Sequence, residues 1–493
     1  MSLSVVTDDW GLEVRAQRGG QRPHPRFRFV VHTHTIGACD LTPWVQSLSY
    51  SQTLEGESGG LRAMLSDPWQ TITGDRIEDR VIGSSDDKRN WKNRIGLQAL
   101  VSPGDWLTLE IDYGNGFELT YASVQQATGT SLNIGGQGEP VLGCSLQSAH
   151  AQHVLDRELL HDPRFRLFPD FFDVYSSAIE SAMGAGNPGA VARAVFEQAL
   201  VTGQTIEYPP TLSQFVKAPG IWDFYGYVDE IDAKVIDAKL QQVSFLDSQT
   251  ARSLVADYLG LPALTELFVD CRCNGLSLNF REHPWDYADW MALDVHSVEN
   301  PQSVDVSAGI GGLVTRIHLN PLVASTSIPS EFSLFDASPY IPILDVPRTR
   351  RYGMRRLDVT TRLGPAIGDP TTTWIARWNQ RLWSWHALGG FYLQGTVRDR
   401  WRPEIRLGTR VKVPVGAACV HHSFYVEGYE HTITVQPGTG AISGASTFAI
   451  TRGQPGDYVA PPAPPAIYSS KGVATATGAD VLMMNARNKG DAS

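Results

Sequence analysis

The chain has 493 residues, of which 42% are hydrophobic and 19% charged, and its formal net charge is −11. At about 150 residues per domain this predicts two to four domains, and the apolar share excludes disorder over the whole length. The acidic balance excludes a strongly basic nucleic-acid binder, because such proteins neutralise phosphates with clustered Lys and Arg.

No run approaches ~18 consecutive apolar residues, so no membrane-spanning helix is expected. The first 28 residues carry Asp8, Asp9 and several Arg without an apolar stretch, which is unlike a secretory signal. The five cysteines, Cys39, Cys144, Cys271, Cys273 and Cys419, are odd in number and widely spread. They do not read as a disulfide framework, and they fit a reducing compartment.

Residues 26–55 alternate, with Phe27, Phe29 and Val31 on one side and Arg26, Arg28 and Val30 on the other, as a half-buried strand requires. Gly56, Gly59 and Gly60 supply a turn. The charged stretch 75–92 reads as an exposed loop. Ser102, Pro103, Gly104 and Asp105 form a turn before a strand at 106–111, and a hairpin turn at 113–117 leads to a return strand at 118–126. Helical spacing is predicted at 147–160, 171–183, 190–201 and 229–259. Strands are predicted at 267–270 and 276–280, then a loop-rich stretch to about 345, a helix at 372–388 and strands over 390–451. Pro461, Pro462, Pro464 and Pro465 make a stiff extended linker, and residues 467–493 are a small, polar tail.

Gly56-Glu57-Ser58-Gly59-Gly60 is similar to the loop around a chymotrypsin-type nucleophile, with His32 and His34 ahead of it, but a glycine-rich turn accounts for the same residues. His32 and His34 share a strand face near Cys39, and Cys271 and Cys273 share another near His283, yet neither set offers four zinc ligands. His421 and His422 point to opposite faces. Gly309, Gly311 and Gly312 do not have the dinucleotide-binding spacing. Asp229, Glu230 and Asp232 read as a solvated helix face. No catalytic, cofactor-binding or metal-binding residue is therefore assigned, and no cofactor is expected.

Several segments together resemble the baseplate hub proteins of tailed bacteriophages and related contractile injection machines. They are Leu264-Thr265-Glu266-Leu267-Phe268-Val269-Asp270 followed by Leu276 to Trp285, with Thr265 where the family often has Asn. They continue with Arg351-Tyr352-Gly353-Met354-Arg355-Arg356-Leu357-Asp358-Val359, then Arg402 to Arg410, Phe424 to His431 and Thr451-Arg452-Gly453. Pro103-Gly104-Asp105-Trp106 fits as well. The resemblance implies an α+β, mainly β fold with two tube-like β-barrels, an inserted helical domain, and a pseudo-sixfold ring formed by a homotrimer. It implies a structural virion protein of the tail baseplate, assembled in the host cytoplasm, that is not an enzyme; the appended lysozyme-like or peptidase domain that some hubs carry is not expected in this sequence. The implied partners are the tail tube protein, the central spike protein, baseplate wedge or other baseplate proteins, and the tape measure protein, with DNA passing through the lumen.

On this reading residues 1–147 form the first barrel and 148–265 a mainly helical domain. Residues 266–370 form a mixed connecting region, 371–459 a helix plus the second barrel, and 460–493 the linker and a docking tail anchored by Val481, Leu482, Met483 and Met484. Lumen-facing residues should be acidic or small and polar so that DNA slides, and the arginine-rich stretch 348–356 should face other protein. Two readings from other classes stand beside it. One is a phage tail cell-wall hydrolase or serine peptidase built on Ser58. The other is a β-rich receptor-binding tail protein using its aromatic residues on sugars.

Overall fold

The computed structural model describes residues 26–66, 101–156, 263–321, 342–364 and 371–465 apart from short breaks, with isolated short pieces elsewhere. The first 150 residues give the main sheet eight strands. These are β1 (Arg26–Thr33), β2 (Gly37–Asp40), β3 (Val45–Thr53), β4 (Gly60–Ser66), β5 (Val81–Ile82), β6 (Trp106–Asp112), β7 (Phe117–Ile134) and β8 (Pro140–His150). The alternation seen in the sequence decides how β1 sits. Phe27, Phe29 and Val31 enter a core with Leu107, Leu109 and Ile111. On the opposite face Arg26 and Arg28 pair with Asp112 and Glu110 of β6. The predicted turn ahead of β6 forms: Ser102 N–H donates to the Asp105 carboxylate at 2.7 Å, and Gly104 takes a φ of 96°.

A hairpin of β9 (Thr265–Arg272) and β10 (Gly275–Glu282) follows, then the short helix α1 (Tyr287–Ala292), capped by the Asp286 side chain. Next come β11 (Val295–Ser297), β12 (Ser303–Ser307), β13 (Arg316–Pro321), β14 (Ile343–Leu344), α2 (Val346–Tyr352) and β15 (Arg356–Thr361). Helix α3 (Thr371–His386) buries Trp374, Trp378, Leu382 and Trp385, spaced along one face. Its buried Asn379 accepts from the Leu319 N–H at 2.8 Å and so ties the helix to β13. The last strands are β16 (Leu393–Arg400), β17 (Arg410–Val415), β18 (Val420–Val435) and β19 (Ile442–Pro455).

The main sheet has 14 strands, in the order β12, β16, β19, β18, β3, β4, β8, β7, β6, β1, β2, β5, with β17 also on β18 and β11 on β17. Strand β18 makes this one sheet. Along one edge its residues 420–425 pair with β17 and its residues 428–434 pair with β3, while β19 follows the other edge. Register shifts at Ser423/Tyr425 and Val426/Gly428 bend the ladder where β18 changes partner. Trp401 reinforces the join, donating from its indole N–H to the Tyr50 hydroxyl at 3.2 Å.

Two closed, separate barrels are not seen among the described residues. A 16-residue strand that pairs with both halves puts their strands on one continuous ladder, so the architecture is β-rich with few helices. The helix predicted at 147–160 begins as strand, because residues 147–150 pair with β4 and β7, and Ala151–Asp156 is a 3-10 helix. Within the helix predicted at 229–259, Lys239–Leu240 is extended and pairs with Leu363–Gly364. The stretch read as loop-rich up to 345 holds β11 to β14 and α1. The helices predicted at 171–183 and 190–201 and the tail at 467–493 lie outside the described residues. The predicted strands at 106–111, 118–126, 267–270 and 276–280 and the helix at 372–388 all form.

Gly453 shows how closely the C-terminal strands pack. A Cβ there would lie 2.0 Å from Cε1 of Phe424, which is fully buried. Gly453→Ala is expected to cost about 1–3 kcal/mol through overpacking, read as a lower Tm by calorimetry.

Candidate functional site

Four of the segments that carry the resemblance, 264–285, 402–410, 424–431 and 451–453, are far apart in sequence and meet in one buried knot, while 103–106 and 351–359 lie elsewhere. Strands β9 and β10 pair Glu266 directly with Arg281, and Arg281 Nε donates to Glu266 Oε2 at 2.9 Å. His283, just past the end of β10, places Nδ1 2.9 Å from the other carboxylate oxygen. From β18, the Tyr425 hydroxyl donates to that same oxygen, and it accepts from Arg281 at 3.0 Å. Arg281 also donates to the carbonyl of Gly408 at 2.8 Å. Gly408 has a φ of 67°, a left-handed turn that favours glycine, and a Cβ there would lie 2.1 Å from the Arg281 guanidinium.

Burial alone would push the Glu266 carboxyl up. Arg281, His283 and Tyr425 outweigh it and hold the carboxyl down at about 2. The Tyr425 hydroxyl, buried and facing a carboxylate, is raised far above its ordinary value and stays a donor.

Aromatic rings extend the knot toward β19. His283 stacks on Trp385 with ring centroids 5.0 Å apart, and the Arg452 guanidinium lies 3.3 Å from the centroid of that tryptophan. Arg452 holds a φ of 54°, rare for a residue with a Cβ, and donates to the Trp385 carbonyl at 2.5 Å. Burial lowers its pKa to about 10, against the pull of Glu427, so it remains a cation at neutral pH. The knot holds buried charges matched by partners and joins β9, β10, β18 and β19. It can clamp, but it presents no exposed nucleophile.

A second feature is a cleft of about 660 Å³ across β3, β4, β8 and β18, lined by Ser49, Ser51, Gly59, Gly60, Arg62, Gln147, His153, Asp156 and Glu430, among others. Its lining is polar and its floor includes Tyr50 and Ser148. Ser58 lies outside the described residues.

The structure separates the other residues considered from sequence. His32 is buried, with its ring nitrogens 3.1 Å and 3.0 Å from the hydroxyls of Thr211 and Thr108, while His34 is exposed. Among the described residues no group of three or more His, Cys, Asp or Glu is placed to hold a metal. Cys39, Cys144 and Cys271 are buried and in no disulfide, and burial pushes the Cys144 thiol up to about 11. Cys273 and the Asp229, Glu230 and Asp232 group lie outside the described residues. Gly309 precedes a 3-10 turn, Ile310–Gly312, with no long helix after it. Among the described residues no helix is long and apolar enough to cross a membrane. In the sequence Glu266, Arg281, His283 and Tyr425 stand out only as motif positions. Nothing in a motif reports their convergence, which depends on contacts 127 to 159 residues apart.

No family model matches the chain, and no curated protein matches it. Similar solved structures include the 43 kDa tail protein of prophage MuSo2 from Shewanella oneidensis, 11% identical over 87% of this chain and 97% of that one, with a TM-score of 0.45. They also include the tail protein from Neisseria meningitidis MC58, at 9% identity over 86% and 96% with a TM-score of 0.42. A third is prophage tail protein gp18 from Listeria monocytogenes EGD-e, at 11% identity over 86% and 94% with a TM-score of 0.37. With identities this low and TM-scores below 0.5, these likenesses assign neither a family nor a role.

Proposed function

We propose that this chain is a structural subunit of a bacteriophage tail, specifically a homotrimeric baseplate hub rather than an enzyme. In this role it joins the tail tube to the central spike, contacts wedge and tape measure proteins, and lines part of the channel through which DNA leaves. The observation that carries the reading is the convergence of the hub-like segments. Residues 264–285, 402–410, 424–431 and 451–453 supply the knot of Glu266, Arg281, His283, Gly408, Tyr425 and Arg452. Motif residues that build a rigid junction instead of a reactive centre are what a structural subunit requires.

The sheet supports the same reading. Strands β3 and β17 lie end to end along one edge of β18, so each chain presents two β regions in succession. Three such chains would offer six regions to a sixfold tube. The Ser58 hydrolase has less support, since His32, one of its two candidate bases, is buried against Thr108 and Thr211.

Light scattering on the purified chain should give three times the monomer mass, and negative-stain images should show a threefold ring. Each contact should bury more than about 2,000 Å², as in obligate assemblies. A stable monomer at micromolar concentration with no ring in images would overturn the hub reading.

A further inference from the structure

Two exposed patches of opposite charge lie outside the knot. The first surrounds the end of α2. Arg348 is its fixed point: it donates to the Ala387 carbonyl, and its guanidinium lies 5.4 Å from the Phe391 ring centroid. Past it, Arg351 and Arg356 are exposed. So are large apolar side chains, with Met354 48%, Phe391 58% and Ile310 54% exposed. Backbone contacts hold these pieces together. Thr315 N–H donates to Arg355 O at 2.9 Å, and Arg355 N–H donates to Thr315 Oγ1 at 2.8 Å. A Cβ on Gly312 would lie 2.9 Å from Gly389 O, so the turn bearing Ile310 touches the loop leading to Phe391.

The second patch is on α1. Tyr287 and Met291, one turn apart, are 58% and 37% exposed. Asp289 lies between them and exposed Asp294 follows. Tyr458 packs edge-on against Tyr287 with centroids 5.3 Å apart, beside Asp457, which pairs with Lys412 at 2.5 Å, while Arg410 donates to the Met291 carbonyl at 3.3 Å from beneath.

Arg, Met and aromatic side chains are the types enriched where proteins bind one another. In a chain of net charge −11 an arginine patch has an abundant complement, which is the acidic surface of another copy. The arginine patch cannot dock on itself across a twofold axis, because that would set arginines against arginines. Unlike patches can meet head-to-tail, which closes into a ring when the rotation allows and is the arrangement a trimer requires. We propose that the Arg351, Met354, Arg356 and Phe391 patch of one subunit docks on the Tyr287, Met291 and Asp294 patch of the next copy of this chain. This contact rests on the trimeric reading above and names the surfaces that make it.

The test compares wild type with three charge variants by size-exclusion light scattering, with circular dichroism as the check on folding. The variants are R351E/R356E, D289K/D294K and the combination of all four. Arg351, Arg356 and Asp294 are exposed and Asp289 is half-buried in the first turn of α1, so circular dichroism of each variant separates a lost contact from a lost fold. Each reversed pair should lose trimer by at least tenfold in association, and the combined variant should regain it. Met354→Ser, which changes no charge, should weaken association in the same direction. Trimers retained in both reversed pairs, or no recovery in the combined variant, would overturn the docking proposal and leave the ring reading standing. A monomeric wild type would overturn both.

Discussion

Replacing Arg281 with alanine should destabilise the fold by about 3–5 kcal/mol, the range for removing one partner of a buried ion pair. The substitution leaves the Glu266 carboxylate buried without its nearest cation and strips donors from Tyr425 Oη and Gly408 O. A drop in Tm on the order of 10 °C follows for a unit of this size. Tyr425→Phe removes one hydroxyl from the same knot and should cost nearer 1 kcal/mol. Thermal melts of the two variants side by side provide the check. An Arg281→Ala melt within a degree or two of wild type would show that the knot does not hold the halves together.

Acid should reveal the same carboxylate. The folded Glu266 value of about 2 lies below its ordinary value of 4.5. The unfolded chain therefore takes up the proton first as pH falls. The stability this group contributes is complete above about 4.5 and disappears as pH drops toward 2. Arg281→Ala should shrink that window, since Arg281 is the largest of the influences that lower the value.

The strands were legible because half-buried strands alternate, and Phe27, Phe29 and Val31 of β1 do so plainly. Helix α3 was legible because its tryptophans recur at helical spacing. Residues 147–150 were misread as helix. Leu146, Gln147 and Ala149 are good helix formers, and pairing with β4 and β7 overrides that preference. The division into two barrels rests on the family resemblance and not on any strand pairing legible in the sequence. Nothing in the sequence of β18 announces that its first part will pair with β17 and its later part with β3, because partner choice belongs to residues hundreds of positions away. The knot has the same character. Its residue types stand in recognisable segments, yet the distances that make them a clamp arise only when the strands are in register.

Lowering the pH from 8 to 5 should destabilise this chain much more than the carboxylate alone accounts for. Besides His283, which faces Glu266 in the knot, four histidines are fully or almost fully buried: His32, His150, His296 and His431. Burial holds His32 and His296 down at about 4, and His150 and His431 down at about 3. Local geometry agrees for His150, whose Nδ1 accepts from the Gln152 N–H at 3.2 Å and so carries no proton. In the unfolded chain each ring titrates near 6.5. As pH falls below that value the unfolded state binds protons that the folded state refuses. The stability tied to these rings is therefore complete above about 6.5 and declines as pH falls toward the folded values. At pH 5 each ring contributes a loss of about 2 kcal/mol, and four together approach about 8 kcal/mol. That is comparable to the whole stability of an ordinary domain, about 5–15 kcal/mol. Denaturant melts at successive pH values should give a stability that falls by about 5 kcal/mol per pH unit around pH 5. His431→Gln removes one such ring, so the slope should drop to about 4 kcal/mol per unit. A flat profile between pH 7 and 5 would mean that these rings gain protons inside the folded sheet, and the argument from burial would be wrong.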